Sequence, residues 1–177
     1  MNNKIEIQRI NIVELDTDAI VNAANRSLLA GGGVCGAIFR AAGNDQLAKA
    51  CDAIGYCETG SAVITPGFQM KAKYIIHAVG PVWSGGNSCE AVLLYSAYNK
   101  SLELAVENGC HSIGFPLISA GIYGYPVEQA WTEALYACMD FQRTHPKADL
   151  RIIFAVLKYS VLRTGLDMIE TLEREYR

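Results

Sequence analysis

Surplus positive charge is the first thing this sequence lacks. Its 15 Lys and Arg are outnumbered by 18 Asp and Glu, for a formal net charge of −3, and the isoelectric point is near 5.6. A protein that grips long nucleic acid gains affinity by releasing counterions to a basic face, so the charge balance argues against that class of partner. A small anion stays open as a ligand, because backbone N–H groups bind one without many cations. No apolar run approaches the length of a membrane span, and the chain opens directly into a strand-like Ile5-Glu6-Ile7. No secretion signal and no membrane partner are therefore expected. None of the six cysteines, at 35, 51, 57, 89, 110 and 138, forms a CxxC pair. They read as reduced thiols of a cytoplasmic protein rather than as disulfides or zinc ligands, and no metal or cofactor is expected. Linkers, repeats and low-complexity stretches are missing too, which predicts a single domain over residues 1–177. Nothing in the sequence bears on oligomeric state.

What is present is an alternation of strand and helix patterns from end to end. Strands are predicted near Ile5–Arg9, Ala19–Ala23, Ser61–Thr65, Tyr74–Val79, Ser112–Leu117 and Arg151–Leu157. Helices are predicted near Val34–Ala42, Asp45–Ala53, Glu90–Asn108, Val127–Arg143 and Ser160–Glu175, with Gly109 and Pro146 as stops. Ile75-Ile76-His77-Ala78-Val79 and Ile152-Ile153-Phe154-Ala155-Val156 are apolar on both faces, as strands covered by helices on each side should be. The expected fold is α/β, a three-layer α/β/α sandwich with a mixed, mostly parallel sheet.

In such a sheet, ligands sit beyond the carboxyl ends of the strands. Two glycine-bearing loops fall there: Asn25 to Gly36, and Ile118-Ser119-Ala120-Gly121-Ile122-Tyr123-Gly124-Tyr125-Pro126. Together they suffice to hold a diphosphate from both sides. Gly31-Gly32-Gly33-Val34-Cys35-Gly36 satisfies G-x-G-x-x-G in letters. A dinucleotide site is nevertheless disfavoured, because in that motif the first glycine ends the strand directly, and an acidic residue follows roughly 20 residues on. The phosphate-binding lysine motif of nucleoside triphosphatases is missing as well.

Several separated segments, in order, resemble a macrodomain of the MacroD type, the ADP-ribosyl and O-acetyl-ADP-ribose hydrolases. They are Val21-Asn22-Ala23-Ala24-Asn25, Gly31-Gly32-Gly33-Val34, Ala37-Ile38-Phe39-Arg40-Ala41-Ala42-Gly43, His77-Ala78-Val79-Gly80-Pro81-Val82-Trp83 and Gly121-Ile122-Tyr123-Gly124-Tyr125-Pro126. The resemblance implies a cleft for ADP-ribose or an ADP-ribosylated protein. By similarity, the backbone of Gly31, Gly32, Gly33 and Val34 and that of Ser119, Ala120, Gly121, Ile122 and Tyr123 would hold the diphosphate. Asn25 would face the distal ribose as the catalytic amide, Asn22 would shape the loop and stand among the ligand-binding residues, and Tyr123 would cover the ribose.

Two departures from the family pattern stand out. Cys35 occupies the place of an aspartate thought to position or activate water, and a thiol is a poor base near neutral pH. Cys35 is expected to fill the loop and to stand among the residues that line the ligand. At the adenine end the usual Gly-Asp-Ile is replaced by Ile10-Asn11-Ile12, so the Asn11 carbonyl would accept the adenine amino group without a charge. Tyr159 either stacks on the purine or packs against the fold. His77 is expected to be a satisfied core histidine, and Trp83, Tyr95 and Trp131 core or helix-face aromatics. The function implied is binding of ADP-ribose with hydrolysis of ester-type bonds at its distal ribose. A non-catalytic ADP-ribose reader and an ADP-ribose 1″-phosphate phosphatase are the alternatives.

Overall fold

A computed structural model describes residues 4–176. Among these residues, strands β1 (Ile5–Arg9), β2 (Ala19–Ala23), β3 (Ala62–Pro66), β4 (Tyr74–Ala78), β5 (Ser112–Phe115) and β6 (Arg151–Val156) form one sheet in the order β1-β6-β5-β2-β4-β3. Every neighbouring pair is parallel except β3 with β4. Helices α3 (Glu90–Glu107), α4 (Val127–Thr144) and α5 (Tyr159–Glu175) cover one face, around Tyr98, Phe115, Trp131 and Phe154. Helices α1 (Gly33–Ala42) and α2 (Asn44–Ile54), with a short 3-10 turn at Ile12–Glu14, cover the other, around Ile20, Ile38, Phe39 and Ile75. The expected three-layer sandwich is present.

β4 and β6 each stop one residue short of expectation, at Ala78 and Val156, and the ends of β5 and β3 differ for reasons of backbone chemistry. β5 stops at Phe115 instead of continuing to Leu117, because Pro116 has no N–H to offer a ladder. β3 runs one residue later than expected and ends on Pro66, which an edge strand tolerates. The hydroxyl of buried Tyr98 takes over where β5 stops, accepting from Ile118 N at 2.8 Å and donating to Pro116 O at 3.3 Å.

The topology places the ligand end. β5 and β2 are neighbours, yet the chain leaves β2 towards β4 through α1 and α2 on one face and leaves β5 towards β6 through α4 on the other. The loops after them diverge and open a crevice. Because β3 runs against β4, with Ala62 opposite Ala78, the segment entering β3 also lies at this end.

Candidate active site

Asn22 is not a loop residue. It sits within β2 with 1% exposure, and its Nδ2 donates to Nδ1 of His77 on β4 at 3.1 Å. Nε2 of His77 then faces the Thr65 hydroxyl at 3.0 Å, and that hydroxyl donates on to Pro66 O at 3.1 Å. This chain of donors assigns His77 the neutral tautomer with its proton on Nε2. His77 is therefore the satisfied core histidine expected. The expectation that Asn22 shapes the loop or touches ligand is corrected: its amide ties two central strands together beneath the cleft.

Burial pushes the His77 imidazole down from its ordinary 6.5 to about 4. Between those values the unfolded chain binds a proton that the folded chain does not, so stability falls as pH drops through that window and levels off below it. The loss should reach about 3 kcal/mol by pH 4. Urea unfolding at pH 7 and pH 4 measures it, and His77→Gln should shrink the difference between the two.

Loop shaping belongs instead to Asn25. Its Nδ2 donates to Leu29 O at 2.9 Å and its Oδ1 accepts from Leu29 N at 3.0 Å, so the amide clasps the backbone four residues on. Leu28, at φ +56, turns inward to the core. Each end of the amide is used once, which leaves one N–H and one oxygen lone pair for a ligand. Cys35 is 7% exposed, and its Sγ points at the same Leu29 carbonyl from 3.7 Å. The thiol fills the loop, as expected.

Past Leu29 the chain runs exposed through Gly31, Gly32 and Gly33 into α1. Gly32 is the N-cap and supplies no side-chain partner, so the first N–H groups of the helix face outward at the positive end of its dipole. Gly36 lets the loop lie against the helix, since a Cβ there would stand 2.5 Å from Gly31 O. The opposite wall is the loop after β5. It is held by Tyr125 N donating to Ser119 O at 2.9 Å, Gly124 N to Gly121 O at 3.0 Å and Trp83 N to Tyr123 O at 2.8 Å. Ser119 takes φ +68, a left-handed conformation costly for a non-glycine residue. The two walls approach closely: a Cβ on Gly32 would lie 4.0 Å from Cδ1 of Ile122, whose side chain is 86% exposed.

The expected adenine end lies across β6 and β1. Asn11 caps the 3-10 turn, its Oδ1 accepting from Val13 N at 3.3 Å, so one lone pair of the expected adenine acceptor is already engaged. The Ile12 side chain is buried in the core, and only its backbone can meet a ligand. Tyr159 opens α5 on the surface, half exposed, with Arg163 donating to its hydroxyl at 3.4 Å. Trp131 is in the core and Tyr95 on a helix face as expected, and Trp83, in a loop, packs half-buried against the core with its ring 4.7 Å from that of Tyr125. Among the described residues, no cluster of three or more His, Cys, Asp or Glu could hold a metal ion, and no helix is long and apolar enough to cross a membrane.

Three contributions to the site were not foreseen from the sequence. Gly80, after β4, makes room for Ser119, since a Cβ there would sit 2.2 Å from Ser119 Oγ. Glu90, buried at the start of α3, accepts from Ser84, Gly86 and Ser88 N–H groups and so holds the loop that flanks the cleft. The segment entering β3 joins the site when Cys57 N donates to Arg26 O at 2.9 Å. Only a glycine directly after an apolar strand hinted at any of these.

A sheet whose switch point is walled by these two loops is the macrodomain arrangement, and comparison with known proteins agrees. The Macro domain family model matches residues 21–134. The chain is 46% identical over 176 residues to a macro domain-containing protein of Xanthomonas axonopodis pv. citri, covering 95% of this chain and 98% of that protein. It superposes on the Oceanobacillus iheyensis macrodomain with ADP at a TM-score of 0.91 and 36% identity, covering 97% of this chain and 92% of the other. The Trypanosoma brucei macrodomain in complex with ADP-ribose aligns at 0.87 and 38% identity, over 94% and 69% of the two chains. This chain belongs to the macrodomain family.

Proposed function

We propose that the whole chain is one cytoplasmic macrodomain that binds ADP-ribose, free or on a protein, and hydrolyses ester-type bonds at the distal ribose. The observation that carries this reading is the pairing of the uncapped N-terminus of α1 with the Ser119 to Tyr123 loop across a gap that Gly32 and Ile122 nearly close. Outward N–H groups on one wall and backbone amides on the other suit a diphosphate. The solved relatives hold ADP or ADP-ribose, which supports the same ligand here.

The diphosphate would lie between the Gly31 to Val34 and Ser119 to Tyr123 backbones, with adenine towards Asn11, Ile12 and Tyr159 and the distal ribose towards Asn25 and Tyr123. The free N–H and lone pair of Asn25 can orient both a ribose hydroxyl and an attacking water. Water adds its oxygen to the anomeric or acyl carbon, the ester C–O bond there breaks, and the departing oxygen takes up the proton. Neutral donors placed where charge develops supply the stabilisation, with no strong base required. Titration with ADP-ribose, AMP and NAD, followed by incubation with a mono-ADP-ribosylated protein, tests this. ADP-ribose should bind tightest and the modification should be released; no binding of ADP-ribose at millimolar ligand would sink the reading.

A non-catalytic reader is the second reading, favoured by the Cys35 thiol that turns to the Leu29 carbonyl. Cys35→Asp separates the two. A carboxylate is repelled by that carbonyl and turns towards the cleft, where a general base contributes roughly 100-fold or more. Unchanged turnover would show that the acid is dispensable, as the hydrolase reading expects, whereas a large gain would mark a binding scaffold that lacks its water-activating acid; ADP-ribose affinity should weaken in either case through repulsion by the diphosphate.

A further inference from the structure

A second cavity of about 330 Å³ opens beside the distal end of the cleft, lined by Arg26, Thr59, Gly80, Pro81, Glu90 and Tyr123 among others. Its walls adjoin the site: Arg26 follows Asn25 directly, and the Tyr123 carbonyl is fixed by Trp83 N at 2.8 Å. The volume far exceeds what an acetyl group needs. Its wall carries one charge of each sign, of which only one is without a partner. Among the described residues Arg26 has no ion-pair partner, and its backbone is anchored by Cys57 N. The acid in the wall, Glu90, is spent. One carboxylate oxygen accepts from Ser84 and Gly86 N–H groups at 3.1 and 2.7 Å, and the other accepts from Ser88 N at 2.5 Å. Burial pushes that carboxyl upward, but these backbone donors outweigh it and hold it below the ordinary range. Glu58, near the wall in sequence, does not line the cavity.

We propose that this cavity receives the acceptor side of the substrate, an acidic peptide segment bearing ADP-ribose, with a carboxylate of that segment paired to Arg26. The inference rests on the ADP-ribose reading and narrows it, because it makes proteins modified within acidic stretches, rather than O-acetyl-ADP-ribose, the substrates this chain is shaped for. Arg26 is then a specificity residue outside the chemistry. An ammonium or a hydrophobic acceptor finds no free partner in the cavity, since the Glu90 carboxylate is already held by three backbone N–H groups and Arg26 is the charged group left without one.

The test uses two hydrolysis-resistant ADP-ribosyl peptides, one with glutamates flanking the modified residue and one with glutamines, alongside free ADP-ribose. Binding is measured by calorimetry to the full chain and to Arg26→Gln, Arg26→Glu and Thr59→Trp. The wild-type protein should bind the acidic peptide about fivefold tighter than the neutral one, as for an ion pair at a pocket rim. That preference should fade in about 0.5 M salt. Arg26→Gln should erase it, Arg26→Glu should reverse it, and Thr59→Trp should weaken both peptides by filling the cavity. Free ADP-ribose should change by less than about twofold in all three variants. Equal binding of the two peptides by wild type, or an equal loss of free ADP-ribose and peptide in Arg26→Gln, overturns the inference. Wild-type protein that fails to bind free ADP-ribose overturns the underlying reading instead, and that arm is separate from the peptide comparison.

Discussion

Gly36→Ala is expected to lower ADP-ribose affinity by about 30-fold or more while leaving the protein folded. The added Cβ would stand 2.5 Å from the Gly31 carbonyl oxygen and 3.1 Å from the Arg40 guanidinium. The arginine end can swing away; the backbone carbonyl moves only by carrying the Gly31 to Gly33 segment off α1. That segment supplies one wall of the proposed diphosphate site, so about 2 kcal/mol of misplacement should appear in binding, alongside about 1–3 kcal/mol of lost stability. Two controls separate sterics from conformation. Gly121→Ala meets nothing within 4 Å and has no positive φ, so its Cβ finds open space. Gly33→Ala also meets nothing, but its φ of +57 costs about 1 kcal/mol for any side chain. Urea unfolding should rank the stability losses Gly36 first, Gly33 second and Gly121 last, and titration with ADP-ribose reads the affinity loss of Gly36→Ala.

Asn25→Ala is expected to reduce release of ADP-ribose from a mono-ADP-ribosylated protein by about 100-fold or more, the usual effect of losing one positioned donor beside the reacting atoms. The variant also loses both bonds to Leu29, about 0.5–1.5 kcal/mol each. The two effects separate in the measurements. A purely loop-shaping amide predicts that affinity for ADP-ribose and turnover fall together. An amide that also orients water predicts a drop in kcat much larger than the drop in affinity. Unchanged turnover would remove Asn25 from the mechanism.

Most of the framework was legible in the chain. Two-sided apolar strands at β4 and β6 implied a covered sheet, and Gly109, now at φ +74, marked the end of α3. The two asparagines were harder. Both lie in one five-residue stretch, and period alone does not say which is the last residue of a strand's buried run; Asn22 went inward to His77, and Asn25 took the clasp at Leu29. The Asn11 side chain was legible as an acceptor, but not that its own turn would engage it through Val13 N. The cavity wall at Thr59 was invisible for a topological reason: a short apolar run does not reveal whether it pairs parallel or antiparallel, and only the reversal of β3 carries that segment to the ligand end.

That reversal has an evolutionary side. The walls of the proposed diphosphate site lie on strand-to-helix loops at the middle of the sheet, where a change of length would disturb β2, β5 and the helices together. The Cys57 to Gly60 segment instead enters an edge strand bonded on one side to β4. Insertions and substitutions there leave the central ladder untouched, so lineages can retune which acceptor is welcomed while inheriting the nucleotide grip unchanged.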